Sequence, residues 1–504
     1  MRRGTSRIGS ARFLSGLRVG LEARDFSLDP EMEKIWCIFL LVSTCAGVSF
    51  HATLHRSDAL LTTDAHWYTQ TLDHYATQDD RTFSQRYYEF TDYFDAPNGP
   101  VFLKICPEGP CVGIQNDYSA VLAKRFGAAI VSLEHRYYGQ SSPFKIHATE
   151  NLIYLSSKQA LFDLAAFREY YQDLINHRTN STRDNPWIVI GWSYAGALSA
   201  WFKLKFPHLA VGSVASSGIV QAIFEFTKLD EQVAESAGAT CSAALRAVTR
   251  LAEQGLKKNS VSTKALFNAE QLDVDGDFLY LLAEAATTAF QYGNPEILCS
   301  PLVAAYKRDE DLLAVYAKYV KDYYIDTFKS SINTYDQKHL KENLAAGDHS
   351  SDRLGWYQMC TELGYFQVAP ANNSIRSALI NVKYHLDLCS NVFGNGTFPE
   401  VDDTNLCYGG NKIRGDKILF MNGSQDPWRH ASKQTSSRNE PAYVIKCQNC
   451  GHGVDMLGCP QSPPQIRGNT SKCADPEAAQ AGQRIIATYI SRWLEDANGS
   501  VKYM

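Results

Sequence analysis

The segment that most restricts how this chain folds is residues 185–207, NPWIVIGWSYAGALSAWFKLKFP. Trp187, Ile188, Val189 and Ile190 read as a short buried strand that Gly191 ends. Ser193 follows, and an apolar helix begins at once and runs until Pro207 stops it. A chain that passes from strand to helix so abruptly brings the two backbones nearly into touch, so small residues are needed around the turn. Gly191, Ala195 and Gly196 meet that demand. Such a turn lifts its serine hydroxyl above the sheet edge and aims the next N–H, that of Tyr194, at a developing oxyanion. Taken alone, Ser193 reads either as a nucleophile or as a cap on the helix.

The surrounding pattern is α/β. PVFLKIC (100–106) and AAIVSLEHR (128–136) read as strands with a helix, NDYSAVLAKRF, between them. Residues 156–177 carry apolar positions at three- and four-residue spacing behind a serine cap. A further strand is expected at 210–218, after the Ser193 helix. From about Phe224 to Tyr384 helical periodicity takes over. Strands resume with DKILFMNG (416–423) and AYVIKC (442–447), and an amphipathic helix (475–496) follows. The expected organisation is a signal region at 1–52, an α/β domain built from 53–222 and 400–504, and a mostly helical insertion at 223–399.

A serine hydroxyl needs a base, and the base needs an acid to hold its tautomer. In this architecture the acid follows a later strand and the histidine the next one. KILFMNGSQDPW places Asp426 just past one resumed strand, and AYVIKCQNCGHGVD places His452 just past the next. Asp426 also reads as an Asx-turn before Pro427, and His452 as a loop residue between glycines. Three matches in the right order decide for Ser193 as nucleophile, His452 as base and Asp426 as acid.

Net charge is -5, with no basic surplus to suggest nucleic acid or an anionic membrane. Residues 35–50 form an apolar run behind Lys34, of a length suited to a signal peptide starting at Met32 rather than to an anchor helix. Stable membrane insertion of the mature form is not expected. The chain has 13 cysteines, of which Cys37 and Cys45 fall in the signal region, leaving an odd set and hence a thiol unpaired within the chain. Cys447 and Cys450, with Cys459 and Cys473, have irregular spacing for zinc, so disulfides are favoured and neither metal nor cofactor is expected. Acceptor tripeptides for N-glycosylation stand at Asn180, Asn372, Asn395, Asn469 and Asn498, and at Asn422, which lies beside the acid's loop.

Several stretches carry a resemblance: EHRYYGQSSPF (134–144), the Ser193 turn and helix, SSG (216–218), WYQMCTELGYFQ (356–367), NGSQDPW (422–428) and CGHGVDM (450–456). Together the chain resembles the serine carboxypeptidase family S28, which includes prolylcarboxypeptidase, dipeptidyl-peptidase II and thymus-specific serine protease. It is nearer the thymus-specific branch, with a plant-like flavour. The resemblance implies an α/β-hydrolase fold with a helical cap, and hydrolysis of peptide substrates near a chain end, often beside proline. Trp192 stands where the family usually has glycine. The family's Gly-Asn-Glu-Gly loop is here CPEGPCVG, with Glu108 and Gly109 matching its second half. Gly109 is thus the candidate second oxyanion donor, and Cys106 with Cys111 could pin the loop.

Trp428 offers an aromatic wall for a proline ring, or plain core packing. Tyr365 and Ala197 match pocket positions of relatives. Glu108 or Glu362 could hold a terminal amine, and Arg136 or Arg429 a terminal carboxylate, although Glu134, Arg136 and Glu362 could equally make internal ion pairs. The resemblance implies a Cys360–Cys389 disulfide, and Cys241–Cys299 as a further pair. Residence is expected in the secretory pathway, either extracellular or vacuolar/lysosomal, and a homodimer stays open. Two rival readings share the fold: a lipase or esterase, and a non-catalytic adhesion domain.

Overall fold

The computed structural model describes residues 60–348, 350–457 and 476–500. The signal region, Asn469, Cys459 and Cys473 lie outside these residues. Eight strands form the central sheet: β1 (Ala65–Thr71), β2 (Thr82–Phe90), β3 (Val101–Lys104), β4 (Ala129–Leu133), β5 (Trp187–Trp192), β6 (Gly212–Ser216), β7 (Ile418–Gly423) and β8 (Ala442–Ile445). Their spatial order is β8-β7-β6-β5-β3-β4-β2-β1. β2 pairs antiparallel with β1 and β4, and all other pairings are parallel.

The central strands are buried on both faces, which is why they read as continuous apolar runs. Alternate side chains go to opposite layers. Val189, Ala215 and Phe420 pack with α2 (Ser157–Thr179), α3 (Tyr194–Lys205) and the helical region. Ile188, Ile190, Val214 and Met421 pack with α1 (Tyr118–Phe126) and the last helix, Pro476–Ser500. Ser156 caps α2, accepting from Gln159 N, and Asn180 ends that helix in the left-handed region at φ 52°.

β1 and β2 are strands that the sequence reading passed over. Their burial alternates rather than running on, because they form the antiparallel edge. The period-two signal was present in AHWYTQT and TFSQRYYEF, but polar residues at every second position diluted it.

Between β6 and β7 helices dominate. They include α4 (Lys228–Ala265), kinked at Gly238 and Asn259, and α5 (Asp275–Gln291). Helix Val401–Tyr408 extends the helical run beyond residue 399. Two π-helical turns, Val320–Ile325 and Met359–Leu363, follow straight on from helices. A short parallel pair, Ile223–Glu225 with Gly364–Phe366, joins the beginning of this region to its later part.

Among the described residues four disulfides are present: Cys106–Cys111, Cys241–Cys299, Cys360–Cys389 and Cys447–Cys450. Cys447 and Cys450 are thus joined to each other, as favoured for that spacing. Cys407 is the free thiol among the described residues. Asn422 is fully buried and its amide donates to Lys433 O at 3.0 Å, so it is no glycan acceptor. Asn180, Asn372, Asn395 and Asn498 are exposed. No helix among the described residues is long and apolar enough to cross a membrane.

Candidate active site

The sheet order reverses between β3 and β5, and in open α/β sheets the crevice beyond such a reversal is where ligands bind. Ser193 stands there, at the end of β5, with φ 60° and ψ -127°. A side-chain-bearing residue in this region is strained, and the surroundings over-determine it. Ser193 N donates to Ser216 O at 3.0 Å, and Ser193 O accepts from Ala197 N at 3.0 Å. A Cβ on Gly191 would run into the Ala195 carbonyl. One on Gly196 would come within 2.8 Å of Ser216 O and 2.9 Å of Gly218 Cα. The Ser193 side chain makes no capping bond to α3. The turn presents the serine; it does not cap with it.

Asp426 and His452 follow β7 and β8. His452 Nδ1 lies 2.8 Å from Asp426 Oδ2, with both side chains fully buried. Asp426 Oδ1 accepts from Trp428 N at 2.8 Å. One Asp426 oxygen thus makes the Asx-turn while the other meets His452. His452 N donates to Gln291 O, at the end of α5, at 2.7 Å. Gly453 N donates to Ser217 Oγ at 2.9 Å. The imidazole sits beside the Ser193 turn, its ring 6.0 Å from that of Trp192. Its Nε2 is buried and makes no hydrogen bond among the described residues. Such bonds are often long before substrate arrives and tighten in the complex.

The acid and histidine loops are stitched together. Gln425 N donates to Cys450 O at 2.9 Å, and the Gln425 side chain accepts from Asn449 N at 2.5 Å. Asp455 lies beneath, accepting from Ser216 Oγ at 2.7 Å, and burial pushes its carboxyl up to about 6.

Tyr194 opens α3, where backbone N–H groups lack intrahelical partners. Gly109 differs from expectation: its N–H donates to Pro107 O at 2.8 Å, so in this conformation it is committed to a tight turn within the loop. The loop is anchored by Glu134, which accepts from Cys111 N at 2.8 Å, pairs with Arg86 at 2.6 Å and accepts from Ser141 Oγ at 2.6 Å. The EHRYYG stretch is therefore scaffold. His135, held neutral by burial with its pKa lowered to about 4, accompanies a chain of bonds from Tyr138 through Gln358 to the Tyr194 hydroxyl.

One cavity of about 950 Å³, mouth included, brings Ser193, Tyr194, Glu108, Tyr365 and Trp428 together. Trp428 is both packed and cavity-lining: it meets Tyr365 edge-on at 5.6 Å and Phe226 at 5.6 Å, and donates Nε1 to Gln291 Oε1 at 3.1 Å. The remaining expected binders are elsewhere. Ala197 is buried within α3. Glu362 accepts from Ser157 N at 3.0 Å and from its hydroxyl, holding the start of α2. Arg136 is locked on Asp163 by two bonds of 2.6 Å. Arg429 donates to Gln232 Oε1 at 2.6 Å and to Gln434. Buried guanidinium and carboxyl groups commonly end up in such internal pairs, because an unpaired buried charge is costly.

The sequence reading missed the wall contributed by the helical region: Glu284, Thr288, Gln291, Tyr324 and Tyr335. Glu284 pairs with Arg376 at 3.0 Å, and Arg376 also binds both oxygens of Asp230 at 2.8 and 3.0 Å. Burial raises the Glu284 carboxyl above its ordinary range, against the pull of Arg376. The sequence signal was faint: an acid in the otherwise apolar run FLYLLAEAATTAF.

A doubly covered sheet in this strand order, with a serine elbow after β5 and an Asp–His pair after β7 and β8, defines a serine hydrolase of the α/β-hydrolase type. Comparison with known proteins supplies the family. The model of the serine carboxypeptidase S28 peptidases matches residues 70–470, and the chain belongs to that family of serine-type peptidases. It is 53% identical over 481 residues to probable serine protease EDA2 of Arabidopsis thaliana, covering 92% of this chain and 98% of that one. Thymus-specific serine protease of Mus musculus is 30% identical, covering 86% of this chain and 88% of that protein. Lysosomal Pro-X carboxypeptidase of Bos taurus is 27% identical, covering 85% and 87%. Among solved structures, the proline iminopeptidase of Mycobacterium smegmatis aligns over 86% of this chain and all of its own at 11% identity, with a TM-score of 0.36. The fold assignment rests on the strand order itself.

Proposed function

We propose that this peptidase is a secretory-pathway exopeptidase that uses Ser193 as nucleophile, His452 as base and Asp426 as orienting acid, on peptides with proline near the cut. The observation that carries the reading is the buried 2.8 Å bond from His452 Nδ1 to Asp426, which fixes the tautomer and leaves Nε2 as the basic nitrogen beside the serine turn. In the first step Ser193 Oγ bonds to the substrate carbonyl carbon while its proton passes to His452 Nε2. The oxyanion meets the Tyr194 N–H, and the Gly109 N–H once its peptide leaves Pro107. The C–N bond then breaks, His452 protonates the leaving amine, and water repeats the sequence to free the acyl group.

Residues 223–399 act as the cap that restricts access to chain ends. The aromatic wall of Trp428, Tyr365 and Phe226 suits a rigid apolar proline ring. Four disulfides and exposed acceptor asparagines support passage through an oxidising, glycosylating compartment, followed by extracellular or vacuolar/lysosomal residence. Peptides differing by proline or alanine at one position, digested by wild type and Ser193→Ala at pH 5 and pH 7, test the reading. The proline member is expected to be favoured roughly tenfold or more in kcat/KM. Equal turnover by Ser193→Ala, or hydrolysis of a short-chain ester alone, would overturn it.

A further inference from the structure

Hydrolysis through an acyl-enzyme gives the two sides of the cut different fates. The fragment that stays on Ser193 carries the substrate's amino-terminal side, while the carboxyl-terminal side departs with the protonated amine. A cavity that selects one chain end must therefore offer either an anionic partner on the acyl side or a cationic one on the leaving side. The cavity at Ser193 has Glu108 and Glu284 in its lining and, among the described residues, no lysine or arginine; His452, whose imidazole is taken up by the proton transfer, lies outside that lining. Both arginines that the sequence offered for a carboxylate, Arg136 and Arg429, are engaged outside the lining.

Glu284 belongs to a buried array of two carboxyl groups, its own and that of Asp230, around the single guanidinium of Arg376. With both carboxylates ionised the array is one positive charge short. Burial makes that shortfall expensive and its completion by an incoming cation favourable. An ammonium also needs acceptors for three N–H groups. Thr288, Tyr324 and Tyr335, each with a hydroxyl, line the same cavity as Glu284, and the two tyrosine hydroxyls are bonded to each other.

We infer that Glu284 receives the free α-amino group of the substrate, so that the enzyme cuts from the amino end and its acyl-enzyme carries the amino-terminal fragment. This rests on Ser193 acting as the nucleophile at this cavity. It makes the substrate class peptides with an unblocked amino terminus, and it leaves the carboxyl end unread.

Three substrates of one sequence test it: a free-amine peptide amide, its N-acetylated amide, and the N-acetylated peptide with a free carboxylate. The wild type is expected to release an amino-terminal fragment from the first, and to lose roughly 30- to 300-fold in kcat/KM on acetylation, the size of a lost buried charge pair. Glu284→Gln is expected to shrink that ratio towards one. Equal cleavage of the acetylated amide, or removal of a carboxyl-terminal residue from the acetylated acid, would overturn the inference. Fluorophosphonate labelling of each protein is read in parallel. A wild type that labels at Ser193 yet ignores acetylation sinks the amine site alone, whereas one that does not label sinks the nucleophile as well. Should Glu284→Gln fail to label, the wild-type acetylation ratio decides.

Discussion

At the carboxyl ends of β5, β7 and β8, Ser193, Asp426 and His452 stand on backbone turns. Their glycines leave no room for a side chain, and their hydrogen bonds run largely from main chain to main chain. Across the cavity, the helical region builds its wall from side chains held by other side chains: Glu284 by Arg376, Arg376 by Asp230, Tyr324 by Tyr335. Backbone turns depend on which small residue stands where, and so leave short local motifs. Side-chain arrays depend on partners distant in sequence, such as the 146 positions between Asp230 and Arg376, and leave none. The two regions meet at Gln291, whose carbonyl accepts from His452 N and whose side-chain oxygen accepts from Trp428.

The contrast predicts that changes on the sheet side abolish chemistry, whereas changes on the helical side redirect binding. Ser193→Ala is expected to lower kcat by roughly 10⁵–10⁶-fold, the loss typical when a triad nucleophile is removed. Single-turnover assays check it, and residual activity above about a hundredth of wild type would break the contrast outright. Asp426→Asn leaves the geometry in place but permits the wrong imidazole tautomer. A fall of about 10⁴-fold in kcat is expected, with KM little changed. Trp428→Ala tests the shared border: kcat/KM should fall roughly ten- to a hundredfold, mostly through KM. A loss confined to kcat would mean that its bond to Gln291 matters more than its face.

Two smaller effects concern stability. Gly196→Ala pushes a methyl against the backbone of Ser216 and Gly218, and is expected to cost about 1–3 kcal/mol in denaturant unfolding. Asp455 has its carboxyl pushed up to about 6 from an ordinary 3.8 by burial. Well below the lower value the carboxyl is neutral in both states and no penalty arises. As pH rises from about 3.8 through about 6, the unfolded chain ionises while the folded state resists, so stability falls across that window and levels off above it. Asp455→Asn should therefore stabilise the protein more at pH 8 than at pH 5, by about 1–1.5 kcal/mol. An equal gain at both pH values would show that Asp455 ionises as freely in the fold as outside it.

The Ser193 turn, the Asp426 and His452 loops, the sheet strands from β3 onward and the helical run were legible because each carries a local pattern. Gly191 and Gly196 mark a close approach that no side chain could share, and Ile188 to Ile190 mark a strand covered on both faces. The pocket was legible only in part. Trp428 adjoins Asp426 in sequence and travelled with its motif, whereas Glu284 lies in an apolar helix where nothing nearby hints at Arg376. Arg136 and Glu362 had two readings, and the structure gives the internal one, because a charge near a motif says nothing about whether it faces substrate or its own scaffold. Gly109 shows a third limit, since a glycine's position does not fix which way its N–H points.

The most direct measurement is to treat the folded protein with a fluorophosphonate and locate the adduct by peptide mass spectrometry, while following peptide cleavage. One adduct per chain is expected, on the hydroxyl of Ser193, with activity lost in strict proportion to labelling. An adduct on another residue, or cleavage that survives complete modification of Ser193, would contradict the assignment of the chemistry to this turn.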